Sequence, residues 1–130
     1  MNPSDTMHPA EALIRRFLAA LEARDEAAAG ALVSPDTVYV FPGGARRASL
    51  AEVLAGSRAR YRHVGKRFER FDVLETGDGA IVYCFGTLHG TFADGRAVDG
   101  IRFIDRFEVA DGRIRRQDVW NDVGQTGPRP

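Results

Sequence analysis

One cysteine, Cys84, and one lysine, Lys66, occur in 130 residues. A lone cysteine excludes an internal disulfide, and among β-forming neighbours it reads as a small buried hydrophobe. No apolar run approaches the ~18 residues that a membrane span needs, and no cationic start leads into an apolar segment, so neither a transmembrane helix nor a secretory signal is expected. Charge of one sign is missing too. Lysine plus arginine and aspartate plus glutamate stand at 18 each, so no global field draws the chain to nucleic acid or to an anionic membrane. The three histidines, His8, His63 and His89, are too scattered to converge on a metal, and Gly43-Gly44 lacks a phosphate-loop pattern. No cofactor is implied. A length of 130 residues sets one domain over 1–130, with 1–7 and 124–130 as loose ends. Cationic content carried almost wholly by arginine, in an alanine- and glycine-rich background, fits a bacterial, cytoplasmic protein.

What is present is a helical first part and a stranded second part. Pro9 suits a first helical position, with Glu11 in the first turn, and Leu13, Ile14, Phe17, Leu18 and Leu21 recur at spacings of three and four. Asp25 caps a second, short helix. Thr37 to Phe41 is β-branched and aromatic and ends at Pro42-Gly43-Gly44. The basic pair Arg46-Arg47 follows on a loop, where it is either solvated or poised at a pocket rim to hold a carboxylate. Ser49 and Glu52 form a capping box opening a helix to about His63, which buries Leu50, Val53, Leu54 and Tyr61. From Lys66 onward the pattern is a four-stranded antiparallel meander, with turns at Gly77-Asp78-Gly79, Ala93 to Arg96 and Asp111-Gly112. The class is α+β, a helix layer covering one side of a curved sheet.

The last hairpin is the most informative stretch. A two-residue turn at Asp111-Gly112 matches Val109 with Ile114, Phe107 with Arg116, Asp105 with Asp118, and Phe103 with Trp120. Two carboxylates then face each other on the apolar side, about 5 Å apart at Cβ. Pairing Phe92 with Val98 across the preceding turn sets His89 opposite Ile101, Phe85 opposite Asp105 and Tyr83 opposite Phe107, on that same inward face. Two aspartates in a partly dry site share a proton and supply an acid or a base. The plainer explanation is that each meets an arginine, and Arg116 is close enough to serve. The remaining face, with Val82, Cys84, Leu88, Ile104 and Val119, is too apolar in its middle to be left wet, which implies a homodimer through the outside of the sheet.

The order of elements and the closing phrase FIDRFEVADGRIRRQDVWND resemble the NTF2-like superfamily, in particular its SnoaL-like, polyketide cyclase-like branch. The resemblance covers essentially the whole chain and implies a cone: a bent sheet wrapped around an apolar pocket and closed by the N-terminal helices. It also implies an aspartate on the last strand as the base that removes a proton next to a carbonyl, a position matched here by Asp118. The epoxide hydrolases of the superfamily carry Arg-x-Asp on an inner strand, but Phe103 stands two residues before Asp105. Where ketosteroid isomerases place a helix 1 tyrosine in the oxyanion hole, this sequence offers Phe17.

Residues and resemblance together nominate Asp118, Asp105 and His89 for catalysis. Tyr83, Phe85, Phe103, Phe107, Trp120, Tyr39, Tyr61 and Phe17 are nominated to bind a small apolar molecule. The expected activity is cofactor-independent proton transfer on a small, mostly apolar carbonyl compound, as a cyclase, isomerase or dehydratase. The rival reading is a non-catalytic NTF2-like module that binds a small ligand or dimerises.

Overall fold

In the computed structural model, residues 7–126 are described; 1–6 and 127–130, expected to be loose, lie outside the described residues. Of the remaining stretch expected to be loose, 124–126 belong to a short helix. Helix α1 (Pro9–Glu22) begins with His8 Nδ1 accepting the Ala10 amide at 3.0 Å, and buries Leu13, Ile14, Phe17 and Leu18. Each such side chain contributes about 1.5–3 kcal/mol when removed from water, so this stripe, more than helix propensity, fixes α1 to the sheet. Helix α2 (Glu26–Gly30) is capped by Asp25, whose carboxylate accepts the Ala28 amide at 3.0 Å.

Strand β1 (Val33–Phe41) leads through a 3-10 turn at Pro42–Gly44 into β2 (Ala45–Arg47) and α3 (Leu50–Arg60). The capping box at α3 is formed as expected: Ser49 Oγ accepts the Glu52 amide at 3.2 Å, and Glu52 accepts the Ala48 amide at 2.7 Å. The helix stops at Arg60, three residues earlier than its pattern predicts, because β3 (Tyr61–Glu75) starts pairing with β4 at Tyr61. Strands β4 (Gly79–Phe92), β5 (Ala97–Ala110) and β6 (Arg113–Asn121) complete the meander, and α4 (Val123–Thr126) follows. The sheet order is β2-β1-β6-β5-β4-β3, with β1 parallel to β6 and the other pairs antiparallel.

Two bulges, and a turn at 93–96 that pairs Val98 with Gly90 rather than Phe92, overturn the simple registers read from the turns. The Asp111-Gly112 turn has both residues at positive φ, 54° and 70°, and pairs Ala110 with Arg113 and Val109 with Ile114 as expected. Arg115 is then an extra residue. Beyond it Glu108 pairs with Arg116, Phe107 with Gln117, Arg106 with Asp118, Asp105 with Val119 and Ile104 with Trp120. The bulge is anchored on both sides. Thr37 Oγ1 donates to the Ile114 carbonyl at 2.8 Å, and Arg115 reaches Ser34 Oγ at 2.9 Å and Asp111 at 3.3 Å. On β5, Gly100 (φ 65°) is the second extra residue, between the pairs His89–Asp99 and Leu88–Ile101. Because side chains alternate with period 2, one added residue exchanges the faces of everything after it. Further register shifts along β3 and β1 bend the sheet into an open, curved wall around α1.

The inner face therefore holds Val82, Cys84 and Leu88 with Phe103, Asp105, Phe107, Gln117 and Val119. Tyr83, Phe85, Ile104, Arg106, Asp118 and Trp120 occupy the outer face. Among the described residues no helix is long and apolar enough to cross a membrane.

Candidate functional site

Between the inner face, α1 and α3 lies a cavity of about 980 Å³. Its walls are apolar where Leu18, Val53, Leu54, Phe68, Leu88 and Phe103 contribute, and polar at Lys66, Gln117, Tyr61 and Asn121. A space of this size takes a drug-sized molecule.

The chemistry of the wall centres on a buried ion pair. Lys66 on β3 and Asp105 on β5 are separated by β4, two strand spacings or roughly 10 Å. The lysine side chain crosses that gap, placing Nζ 2.5 Å from Asp105 Oδ2 and 4.8 Å from the Phe103 ring centre. Gly86 on the intervening strand, between Phe68 and Phe103, leaves the path clear; a β-carbon there would collide with the Arg67 carbonyl oxygen. Asp105 is fully buried and Lys66 partly so, and only Lys66 lines the cavity. Asp105 lies one layer beneath, under Lys66, Phe103, Gln117 and Val119. Its Oδ1 has no hydrogen-bond partner, and neither does Oε1 of the buried Gln117. Such unmatched polar atoms are uncommon in an interior; of the two residues only Gln117 lines the cavity, where a ligand can supply a missing partner. Cys84, the strand partner of Asp105, keeps its proton: burial first, then the neighbouring carboxylate, push its thiol up to about 12.

The other nominated residues separate into three groups. Phe103 and Tyr61 line the cavity, Tyr61 stacked on Phe92 with ring centres 5.5 Å apart. Burial pushes the Tyr61 phenol up, opposed by the charge and hydrogen bond of Arg60. Phe17, Phe107 and Tyr39 are core residues. The first two meet edge to face at 6.0 Å, and Tyr39, its phenol also pushed up by burial, is the strand partner of Gln117.

The third group does not reach the cavity, and the bulges are the physical reason. Asp118 is not opposite Asp105. It lies on the outer face, where Arg116 holds it through two bonds of 2.9 and 3.0 Å and Arg106 stands 3.6 Å away. The plainer explanation of the two aspartates thus describes Asp118, with Arg116 as its partner. Tyr83 accepts from Arg106 Nε at 3.2 Å on that face, with Phe85 beside it, and Trp120 is 52% exposed. His89 pairs with Asp99, not Ile101; its ring lies 5.9 Å from that of His63 and beside Gly65 and Glu22 of the wall, without itself lining the cavity.

Several cavity residues escaped the sequence reading, Lys66 and Gln117 the most consequential. Lys66 carried a signal, as the single lysine of an arginine-rich chain, but the facing of its strand was obscured by register shifts. Gln117 carried none, because the uncorrected register assigned it to the polar side. Among the described residues no three His, Cys, Asp or Glu side chains group to hold a metal ion.

With fold and cavity in view, comparison with known proteins identifies the class. A model of the SnoaL-like domain matches residues 14–117, and the chain belongs to that family. No curated protein matches it. Solved structures with the same fold include an NTF2-like protein of unknown function from Burkholderia pseudomallei, 19% identical over 92% of this chain and 95% of that one, TM-score 0.76. A candidate polyketide cyclase from Xanthomonas campestris is 20% identical over 91% and 93%, TM-score 0.71. TerC, co-crystallised with polyporic acid, is 22% identical over 92% and 95%, TM-score 0.74.

Proposed function

We propose that this SnoaL-like chain forms one domain over 1–130 and is a cofactor-independent enzyme of the cyclase, isomerase or dehydratase type. It acts on a small carbonyl compound held in the cavity. The observation that carries the reading is the Lys66–Asp105 pair, with Lys66 in the cavity wall and Asp105 fully buried behind it with one carboxylate oxygen unpartnered. Enolisation needs a base for an acidic C–H and a positive group where the oxyanion develops. In the proposed reaction the carbonyl oxygen lies against Lys66 Nζ. The C–H bond breaks and its proton reaches Asp105 by way of Lys66, the member of the pair that lines the cavity: Nζ hands a proton to Asp105 Oδ2 and takes the substrate proton in its place, and the electron pair becomes the enolate whose oxygen the ammonium faces. Return of the proton to another carbon gives an isomer; attack by the enolate carbon on a second carbonyl closes a ring, and the alkoxide so formed takes back the proton that Asp105 holds.

A second reading is a ligand-binding module without turnover. It is favoured by the position of Asp105 one layer behind the wall. TerC, of the same fold and co-crystallised with polyporic acid, supports small-ligand binding under either reading. The test is exchange of the α-protons of 2-tetralone in D2O, a small apolar carbon acid. The enzyme reading expects acceleration that falls by about 100-fold in Lys66→Met and Asp105→Asn, the usual size of one acid–base contribution. No acceleration over buffer leaves the binding reading.

We further propose that two copies pair through the outer face of the sheet, where Tyr83, Ile104 and Trp120 are 40%, 46% and 52% exposed. Light scattering on Trp120→Lys tests this: a dimer that becomes a monomer supports it, and a wild-type monomer contradicts it.

A further inference from the structure

The charged residues of the cavity wall are unequal in sign. Arg15, Arg47, Arg60 and Lys66 line it, against Glu22 as the one carboxylate in the wall. In a chain with 18 cationic and 18 acidic residues, this is a local concentration of positive charge. Two of the four cations are already engaged. Lys66 holds Asp105 at 2.5 Å, and Arg15 holds Glu11 at 2.9 Å while its guanidinium lies 4.0 Å from the Phe71 ring centre. Arg47 and Arg60 have no carboxylate within ion-pair distance among the described residues. They are neighbours along α3. Arg47 lies against Gly56, where a β-carbon would sit 3.2 Å from its Nη2, and Arg60 is one helical turn further on. The last turn of α3 gives Arg60 a favourable place at the negative end of the helix dipole, and Arg47, on β2, lies over the Phe41 ring with its guanidinium carbon 5.9 Å from the ring centre, a contact that uses none of its hydrogen-bond donors. Arg60 also engages the Tyr61 phenol, itself part of the wall. Glu22 stands on the opposite side, beside Gly65 and His89.

We propose that the cavity selects an acidic ligand: an apolar small molecule carrying a carboxylate or an equally acidic hydroxyl, with that group held at the mouth by Arg47 and Arg60. This rests on the cavity being the ligand site and adds its substrate class. Arg47 and Arg60, both exposed at the cavity beside the last turns of α3 and neither paired with a carboxylate among the described residues, offer guanidinium forks to a planar anion. The apolar body then lies against Leu18, Val53, Leu54 and Phe103, with its far end toward Lys66 and Gln117.

The experiment titrates the full chain with 2-naphthoate, with its neutral isostere 2-naphthamide, and with inorganic phosphate, followed through the resonances of cavity residues. The expected result is naphthoate binding about tenfold tighter than naphthamide, the worth of roughly one charge-assisted hydrogen bond. In Arg47→Gln/Arg60→Gln that preference should fall below about twofold, with naphthamide affinity unchanged. Equal affinity of the two naphthalenes, or a preference that survives in the double variant, overturns the anion site and leaves the cavity intact. Phosphate displacing naphthoate as effectively as the amide does overturns it too, because charge without an apolar body would then suffice. If neither naphthalene moves a cavity resonance, the inference falls together with the cavity reading.

Discussion

Lys66 reaches across an entire strand to hold Asp105, and this contact joins the outermost long strand of the sheet to its centre. Neither partner is matched by an alternative, since Asp105 is fully buried with its second oxygen unpaired. Lys66→Met should therefore lower stability by about 3–5 kcal/mol, because it strands a charge inside. Lys66→Met/Asp105→Leu should recover most of the loss. Urea denaturation checks both, and a double variant no more stable than the single would contradict the account.

Asp118 makes a milder prediction. It is buried on a central strand, but its partners Arg116 and Arg106 are part-exposed and an amide oxygen still accepts from Arg116, so Asp118→Asn should cost about 1.5–3 kcal/mol in a thermal melt. Lost proton exchange on 2-tetralone with stability intact would return the base to Asp118.

The bulge at Arg115 sets which face Gln117 and Asp118 occupy. Arg115→Ala removes bonds to Ser34 and Asp111 and should cost about 1–2 kcal/mol. Deleting Arg115 is more severe: it would swing Asp118 inward and Gln117 outward, and circular dichroism should report an unfolded chain. A deletion variant that melts like the parent would show that the bulge does not set the register.

Alkaline pH should destabilise the fold. The folded thiol of Cys84 sits at about 12 against an ordinary 9.0, so between those values the unfolded chain loses a proton that the native one keeps. Stability is complete below 9.0 and declines as pH rises, by up to about 1.4 kcal/mol per pH unit from this group. Cys84→Ala should flatten that part of the profile, while the native thiol at pH 8 should resist alkylating reagents. A profile identical in the variant would contradict the assignment.

Much of this fold is legible in the sequence because its signals are local. The stripe from Leu13 to Leu21, the Ser49–Glu52 box and the Asp111-Gly112 turn each depend on a few adjacent residues, and each appears where its chemistry places it. The site is less legible because it depends on parity. Asp105 was placed inward correctly, along with Phe103 and Phe107, since β5 beyond Gly100 carries its own alternation. Asp118, Trp120, Tyr83 and Phe85 were assigned by counting from turns, and one extra residue at Arg115 or Gly100 reverses such a count. Gly100 offers a hint, since a glycine inside a strand often marks a bulge. Arg115 offers none: its bulge is fixed by Ser34 and Thr37, some eighty residues earlier in the chain.

Having a single lysine turns the central claim into a one-signal measurement. In protein labelled with ¹⁵N at lysine side chains, Lys66 gives the only side-chain ammonium resonance of that residue type. If Lys66 is held by Asp105 and faces the ligand, that resonance should move in Asp105→Asn and move again when 2-naphthoate is added to the parent protein. A resonance unchanged by the substitution, and unchanged by a ligand that demonstrably binds, would contradict the account.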